Sequence, residues 1–196
     1  MFSPTSPYVV LMDIDDVTLD LVPTWVEWYN KDWDDNLDWR DIHDWEIIKY
    51  VKPECGNKIF TYLDHPKLYD YIDPIEGAVN GLLKLMTDPK IRVVFCTMKD
   101  TSGVKFDKLK KIGLPVEIKD FVIAKDKSLV RANVIVDDYH QNILTHSAYG
   151  IMFNRPWSQY YISVTEGALY DRAVTWDEIL FFIYERMNLM ESLQEF

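Results

Sequence analysis

Five short apolar runs constrain this chain more than any other feature of it. They are YVVLMD (residues 8–13), IRVVFCT (91–97), FVIA (121–124), NVIVD (133–137) and GIMFN (150–154). Each is rich in β-branched or aromatic residues and too short for a helix. Uninterrupted runs of this kind fit strands buried on both faces, as in a parallel sheet. Helical patterns lie between them. In 75–86, Ala78, Val79, Leu82, Leu83, Leu85 and Met86 recur every three or four residues. Residues 103–112 are lysine-rich and precede Gly113, a C-cap signal. Residues 140–148 form a short third pattern, and 176–193 a long one with an apolar face. Strands alternating with helices predict an open α/β sheet.

Residues 21–73 interrupt that alternation, and are too long for a simple connection. They carry Trp25, Trp28, Trp33, Trp39 and Trp45, five of the chain's seven tryptophans. The rings can form the core of a small helical insertion, or some of them can face a site and stack on a flat ligand. At 196 residues, the chain is long enough for one domain with an insertion. The expected division is a core of residues 1–20 and 74–196 and a small helical cap of 21–73.

Composition narrows the function classes. The hydrophobic fraction of 48% supplies a real core, which rules out wholesale disorder. The net charge of −11 argues against a nucleic-acid polymer as partner, because phosphate-backbone affinity comes from Lys and Arg. A small anion stays possible, since a local cationic site or a metal overrides the global field. Cys55 and Cys96 make no disulfide framework and no CxxC metal site. No secretory leader and no long apolar run is evident, so no membrane partner and a cytoplasmic location are expected. His43, His65, His140 and His146 are scattered without ligand spacing and read as surface or polar core residues.

In open α/β sheets, ligands bind beyond the carboxyl ends of the strands. Asp13, Asp15 and Asp16 follow the first run, Thr97 ends the second, Lys125, Asp126 and Lys127 follow the third, and Asp137 and Asp138 end the fourth. Any one of these alone reads first as a cap or a solvated loop; the four together in this order do not. Converging carboxylates repel one another unless a cation separates them. Oxygen donors without His or Cys suit Mg²⁺. A carboxylate beside Mg²⁺, a lysine and a hydroxyl suits attack on a phosphoryl group.

These motifs resemble the haloacid dehalogenase (HAD) superfamily of phosphohydrolases. Asp13-Ile14-Asp15-Asp16-Val17 fits its DxDx[TV] motif, Thr97 its strand-ending hydroxyl, and Asp137-Asp138 its acidic pair. More narrowly, KDKSLVRANVIVDDYHQN (125–142), YIDPIEGAV (71–79) and the WYN and DW elements of 25–45 resemble the 5′(3′)-deoxyribonucleotidase family. The resemblance implies a Rossmann-like HAD core with a cap inserted after the first strand. It implies that Asp13 is the nucleophile forming an aspartyl-phosphate. Asp15 is then the general acid and base, Thr97 and Met98 bind phosphate, and Lys127, favoured over Lys125 by its spacing to Asp137, orients Asp13. Mg²⁺ is held by Asp13, the Asp15 carbonyl and Asp137, with Asp138 nearby. Trp45 is the first candidate for base stacking and Tyr62 the second, although Trp45 packed under the cap is an equal reading. Asp16 stands where the family usually has Gly, Met98 where relatives often have Ser, and Leu21 where some have an aromatic residue.

The expected function is Mg²⁺-dependent hydrolysis of a (deoxy)ribonucleoside monophosphate, a small-molecule partner. A sugar-phosphate phosphatase is the rival among enzymes, and a phospho-accepting signalling module the rival outside them. A homodimer stays open.

Overall fold

The structure is a computed structural model, which describes residues 6–100, 103–162 and 170–194. Six parallel strands form one sheet: β1 (Tyr8–Asp13), β2 (Ile91–Thr97), β3 (Phe121–Ile123), β4 (Val134–Asp137), β5 (Tyr149–Phe153) and β6 (Tyr170–Ala173). Their order is β3-β2-β1-β4-β5-β6. The chain thus runs outward from β1 on one side, returns, and runs outward on the other. The crevice this reversal makes at the carboxyl ends of β1, β2 and β4 is where such sheets bind ligands.

The five apolar runs are strands β1 to β5. β6 was not legible as a run, because YDRA is half-exposed and polar on an edge. It is held by side chains: the Arg172 Nη1 donates to Asn154 Oδ1 at 2.7 Å, and Tyr149 Oη to Asp171 Oδ2 at 2.9 Å.

Residue parity divides the core. Val10, Met12, Val93, Phe95, Val134 and Val136 face one side, with α3 (Ala78–Thr87) and α6 (Trp176–Gln194). Leu11, Val94, Cys96 and Ile135 face the other, with Ile143 of α5 (His140–Thr145). That is the alternation a pleated strand imposes. Ile179, Ile183 and Met187 give α6 its buried stripe. Trp176 lies across Gly81 of α3, where a Cβ would stand 2.6 Å from its ring, and its Nε1 donates to Val17 O at 2.9 Å.

Helix α3 starts at residue 78, not 75. Ile75 N donates to Thr18 O at 3.0 Å, Leu19 bridges Pro74, and Gly77 takes a left-handed φ of 82°, so the chain turns before the helix begins. α4 (Val104–Lys111) and α5 fall within their expected patterns; α5 ends early because His146 Nδ1 accepts the Ala148 N–H in a turn.

Between β1 and α3 run α1 (Leu21–Trp33), three 3₁₀ helices (Trp39–Asp41, Ile47–Lys49, Gly56–Asp64) and α2 (Leu68–Tyr71). Helical structure therefore is inserted after the first strand, in short pieces. Among the described residues, no helix is long and apolar enough to cross a membrane.

Candidate active site

β1 delivers Asp13 to the crevice, and the turn after it is rigid. Thr18 Oγ1 donates to Asp13 O at 2.8 Å, and the Thr18 and Leu19 amides both donate to Ile14 O. Buried Ile14 and Val17 anchor the loop. β4 delivers Asp137, and the chain after it folds back so that Tyr139 N donates to Asp137 Oδ1 at 2.9 Å and Asn142 Nδ2 to Asp137 Oδ2 at 3.0 Å. Lys127 opens the 3₁₀ helix Lys127–Leu129, whose N-cap Asp126 accepts the Ser128 amide. Its Nζ lies 2.6 Å from Asp13 Oδ1 and 2.7 Å from Asp137 Oδ2, and is buried. Lys125 is exposed.

Electrostatics at this point are lopsided. Carboxylate oxygens of Asp13, Asp137 and Asp138 all lie within 4.8 Å of one another. Burial pushes Asp13 up to about 7; Lys127 pulls it back, while Asp137 and Asp15 add to the rise. Burial, then the nearby Asp16 and Asp13, hold Asp138 well above the carboxylate range. Burial disfavours the Lys127 ammonium, but Asp13 and Asp137 outweigh it and hold it above the usual lysine value. One ammonium cannot balance three crowded carboxylates, two of them buried. A divalent cation would, and donors that are all oxygen and partly water-accessible through Asp13 fit Mg²⁺ rather than a soft metal.

The second half of the site lies across β1. Thr97, buried at the end of β2, accepts a hydrogen bond of 2.7 Å from Lys105 Nζ. The same ammonium is paired with Asp15 Oδ2, and Tyr69 of α2 donates its hydroxyl to Asp15 Oδ1 at 2.9 Å. A cleft opens there, lined by Asp15, Leu63, His65, Tyr69, Lys99 and Lys105 among others. Met98 is 53% exposed beside it in the chain. Sequence reasoning missed Lys105, which looked like one of several lysines on a solvated helix, and Tyr69, one of many aromatics in the insertion.

Asp16 has a definite place. It is left-handed, with φ 57°, and buried. Its Oδ1 accepts the Val22 N–H at 3.1 Å, in the first turn of α1, and meets Arg155 Nη2 at 3.3 Å. Arg155 also pairs with Asp20 and lies 5.1 Å from the ring centres of both Trp39 and Trp157. Trp157 Nε1 in turn donates to Asp138 Oδ2 at 2.8 Å. Burial lifts Asp16 to about 7, with Arg155 opposing.

Most of the insertion's tryptophans are engaged. Trp25 is buried and donates to Ile59 O, Trp28 meets His65 and Tyr71 edge-on, Trp33 lies under Lys58, and Trp39 is flanked by Arg40 and Arg155. Trp45 is 39% exposed; it meets Tyr139 and Trp157 edge-on, at 4.5 and 6.2 Å. It therefore stands on the Asp138 side. Tyr62 donates instead to Asp32. His146 bonds Val130 O, and the histidines take no part in the acid cluster.

Fold and site define a hydrolase of phosphoric monoesters built on the HAD plan. Similar solved structures include a haloacid dehalogenase-like hydrolase from Streptococcus pneumoniae (TM-score 0.62, 13% identity, 91% of this chain and 99% of that one). A predicted phosphatase from Clostridium acetobutylicum matches as well (TM-score 0.62, 16% identity, 92% and 100%). Within that class, residues 7–188 match the family described as 5′ nucleotidase, deoxy (pyrimidine), cytosolic type C, and the chain belongs to it. A 5′(3′)-deoxyribonucleotidase of Clostridium acetobutylicum is 28% identical over 185 residues, 94% of this chain and 96% of the relative.

Proposed function

We propose that the chain hydrolyses deoxyribonucleoside monophosphates to nucleoside and phosphate through an aspartyl-phosphate on Asp13. The observation that carries this is the cluster of Asp13, Asp137 and Asp138 at the carboxyl ends of β1 and β4, with the Lys127 ammonium paired to the first two. Lys127 pulls Asp13 toward its carboxylate form, against the effect of burial, and keeps one of its oxygens fixed. The other oxygen attacks phosphorus. The ester P–O bond breaks as the Asp13 O–P bond forms, and Asp15 gives its proton to the departing oxygen. Asp15 then takes a proton from a water molecule, whose oxygen attacks phosphorus and frees Asp13 and inorganic phosphate. The Thr97 hydroxyl donates to a phosphate oxygen, beside the backbone of Met98. Asp13, Asp137 and the Asp15 carbonyl would hold Mg²⁺, with Asp138 beside them. That ion supplies positive charge against the phosphate.

The division into a core of 1–20 and 74–196 and a cap of 21–73 belongs to this reading. The ends of the insertion meet, since Asp20 N donates to Asp73 O at 2.9 Å. A small cap over the crevice suits a metabolite, and the description of the family supports a pyrimidine nucleotide and a cytosolic setting. Trp45, the half-exposed ring on the Asp138 side, is the stacking candidate. A sugar phosphate is the second reading, favoured by the packing partners that occupy the other four rings of the insertion.

The experiment is phosphate release, with Mg²⁺, from deoxy- and ribonucleoside 5′- and 3′-monophosphates and from deoxyribose 5-phosphate. A clear preference for nucleotides is expected. Equal kcat/KM for deoxyribose 5-phosphate and every nucleotide would transfer the assignment to the sugar-phosphate reading.

A further inference from the structure

We infer that Lys105 is a positioning residue for this reaction, tying the proton-transfer carboxyl to the phosphate-binding hydroxyl. The inference rests on the roles proposed for Asp15 and Thr97. Its ground is one ammonium shared by two groups that come from different strands. Lys105 Nζ is paired with Asp15 Oδ2 and donates to Thr97 Oγ1 at 2.7 Å. The side chain is 9% exposed and lies over the Tyr69 ring, 5.5 Å from its centre.

The anchoring of Lys105 makes this more than a chance contact. It stands in the first turn of α4, after Gly103 at φ 70°. Asp100 Oδ1 and Oδ2 accept the Lys105 and Phe106 amides, each at 3.4 Å, so the backbone beneath the side chain is held. Burying a lysine stem costs rotamer freedom, which a merely solvated lysine would keep. The other three lysines of α4 carry no such contact to the site; Lys111, for instance, pairs with exposed Asp70.

The consequence follows from donor and acceptor counting. Lys105 is three donors and no acceptor. By occupying an acceptor position on Thr97 Oγ1, it fixes the hydroxyl oxygen, whose proton makes only a long bond of 3.4 Å to Lys99 O and can turn from it to the phosphate. By taking Asp15 Oδ2 while Tyr69 takes Oδ1, it fixes the plane of the carboxyl. Each oxygen keeps a second lone pair for the proton that must reach the leaving group. Misplacing a general acid matters most for a substrate whose leaving oxygen needs that proton. A nucleoside alkoxide needs it; p-nitrophenolate, a weak base, leaves without it.

The test compares kcat/KM of wild type, Lys105→Met and Lys105→Arg on the best deoxynucleotide and on p-nitrophenyl phosphate. That ratio reports the steps through ester cleavage. General acids contribute roughly 10²–10⁴-fold, so Lys105→Met should lose at least about tenfold more on the nucleotide than on p-nitrophenyl phosphate. Lys105→Arg, which keeps charge and donors, should recover part of that difference. Thermal melts confirm that each variant is folded. Equal losses on both substrates, or no loss on either, overturn the inference: the lysine would then be general phosphate charge or packing. If the Met variant does not fold, the Arg variant decides: an unchanged substrate ratio there, with a lowered melting temperature, also overturns it, and a shifted ratio supports it. Wild type inactive on every nucleotide would instead remove the functional reading, and Asp13→Asn at wild-type rates would remove its mechanism; neither outcome resembles failure of the Lys105 variants alone.

Discussion

Asp16→Gly restores the residue the family usually carries at this place in its first motif, and the structure predicts that it destabilises this chain. Glycine is at ease at φ 57°, which returns roughly 1 kcal/mol of left-handed strain. Against that, the variant loses the acceptor for the Val22 amide, and hydrogen bonds to a charged group are worth about 1.5–3 kcal/mol. It also removes one of two carboxylates facing Arg155, a guanidinium wedged between Trp39 and Trp157. Breaking a buried pair outright costs about 3–5 kcal/mol; because Asp20 remains, we take half, about 2 kcal/mol. The balance is a loss of about 2–4 kcal/mol, and at about 2–4 °C per kcal/mol for a chain this size, Tm falls by at least about 4 °C. The assay is a urea double-mutant cycle with Arg155→Met. Once the guanidinium is gone, Asp16→Gly should cost less, giving a coupling of about 1–3 kcal/mol. Coupling under about 0.5 kcal/mol would falsify the claim that Asp16 and Arg155 answer one another.

Further outcomes follow from the same geometry. Asp13→Asn keeps the size and removes the nucleophile, so phosphate release should fall by roughly 10³-fold or more; near-native turnover would exclude the covalent route. EDTA should abolish activity and Mg²⁺ restore it, measured on the best nucleotide. Burial raises Asp13 and Asp16 from 3.8 to about 7, so the metal-free native state holds protons that the unfolded chain has released. Its Tm in EDTA should therefore fall as pH rises from about 4 to 7, and Mg²⁺ should raise Tm most at the upper end; a Tm rising across that window contradicts the assignment. Gly81→Ala drives a methyl into Trp176, 2.6 Å from its ring, and should cost about 1–3 kcal/mol in urea unfolding. Trp45→Ala should raise KM for nucleotides and leave p-nitrophenyl phosphate hydrolysis nearly unchanged if the ring stacks on the base; a parallel loss of Tm and of both activities marks it as packing.

Apolar continuity is what made the central strands legible. β1, β2 and β4 are covered on both faces, so apart from Arg92 at the outer end of β2, every residue is apolar until the chain reaches the crevice, where the first polar residues are Asp13, Thr97 and Asp137. Burial thus wrote the sheet and half of the site into the same runs. β6 escaped because an edge strand needs no such run, and Tyr170–Ala173 is held by Arg172 and by the pair of Asp171 with Tyr149. The insertion was legible as helical and aromatic, but its separate pieces were not. After α1 its backbone runs largely through short 3₁₀ helices and loops, which have no apolar period of their own, and side-chain bonds such as Trp25 to Ile59 O set its shape.

The residues that surround the chemistry obey neither rule. Lys105 sits eight positions after Thr97, Tyr69 fifty-four after Asp15, and Arg155 far along the chain from Asp16. Nothing local distinguishes Lys105 from Lys108, Lys110 or Lys111 of the same helix; only the packing of α4 beside the end of β2 selects it. Asp16 shows the converse. In the sequence it was only a departure from the family's glycine with no role of its own, and in the fold it caps α1 and faces a guanidinium that the sequence had placed 139 residues away. Residues that make the chemistry announced themselves at strand ends because the sheet puts them there. Residues that hold those groups in position come from elements docked by tertiary packing, and a single chain's sequence carries no spacing that would reveal them.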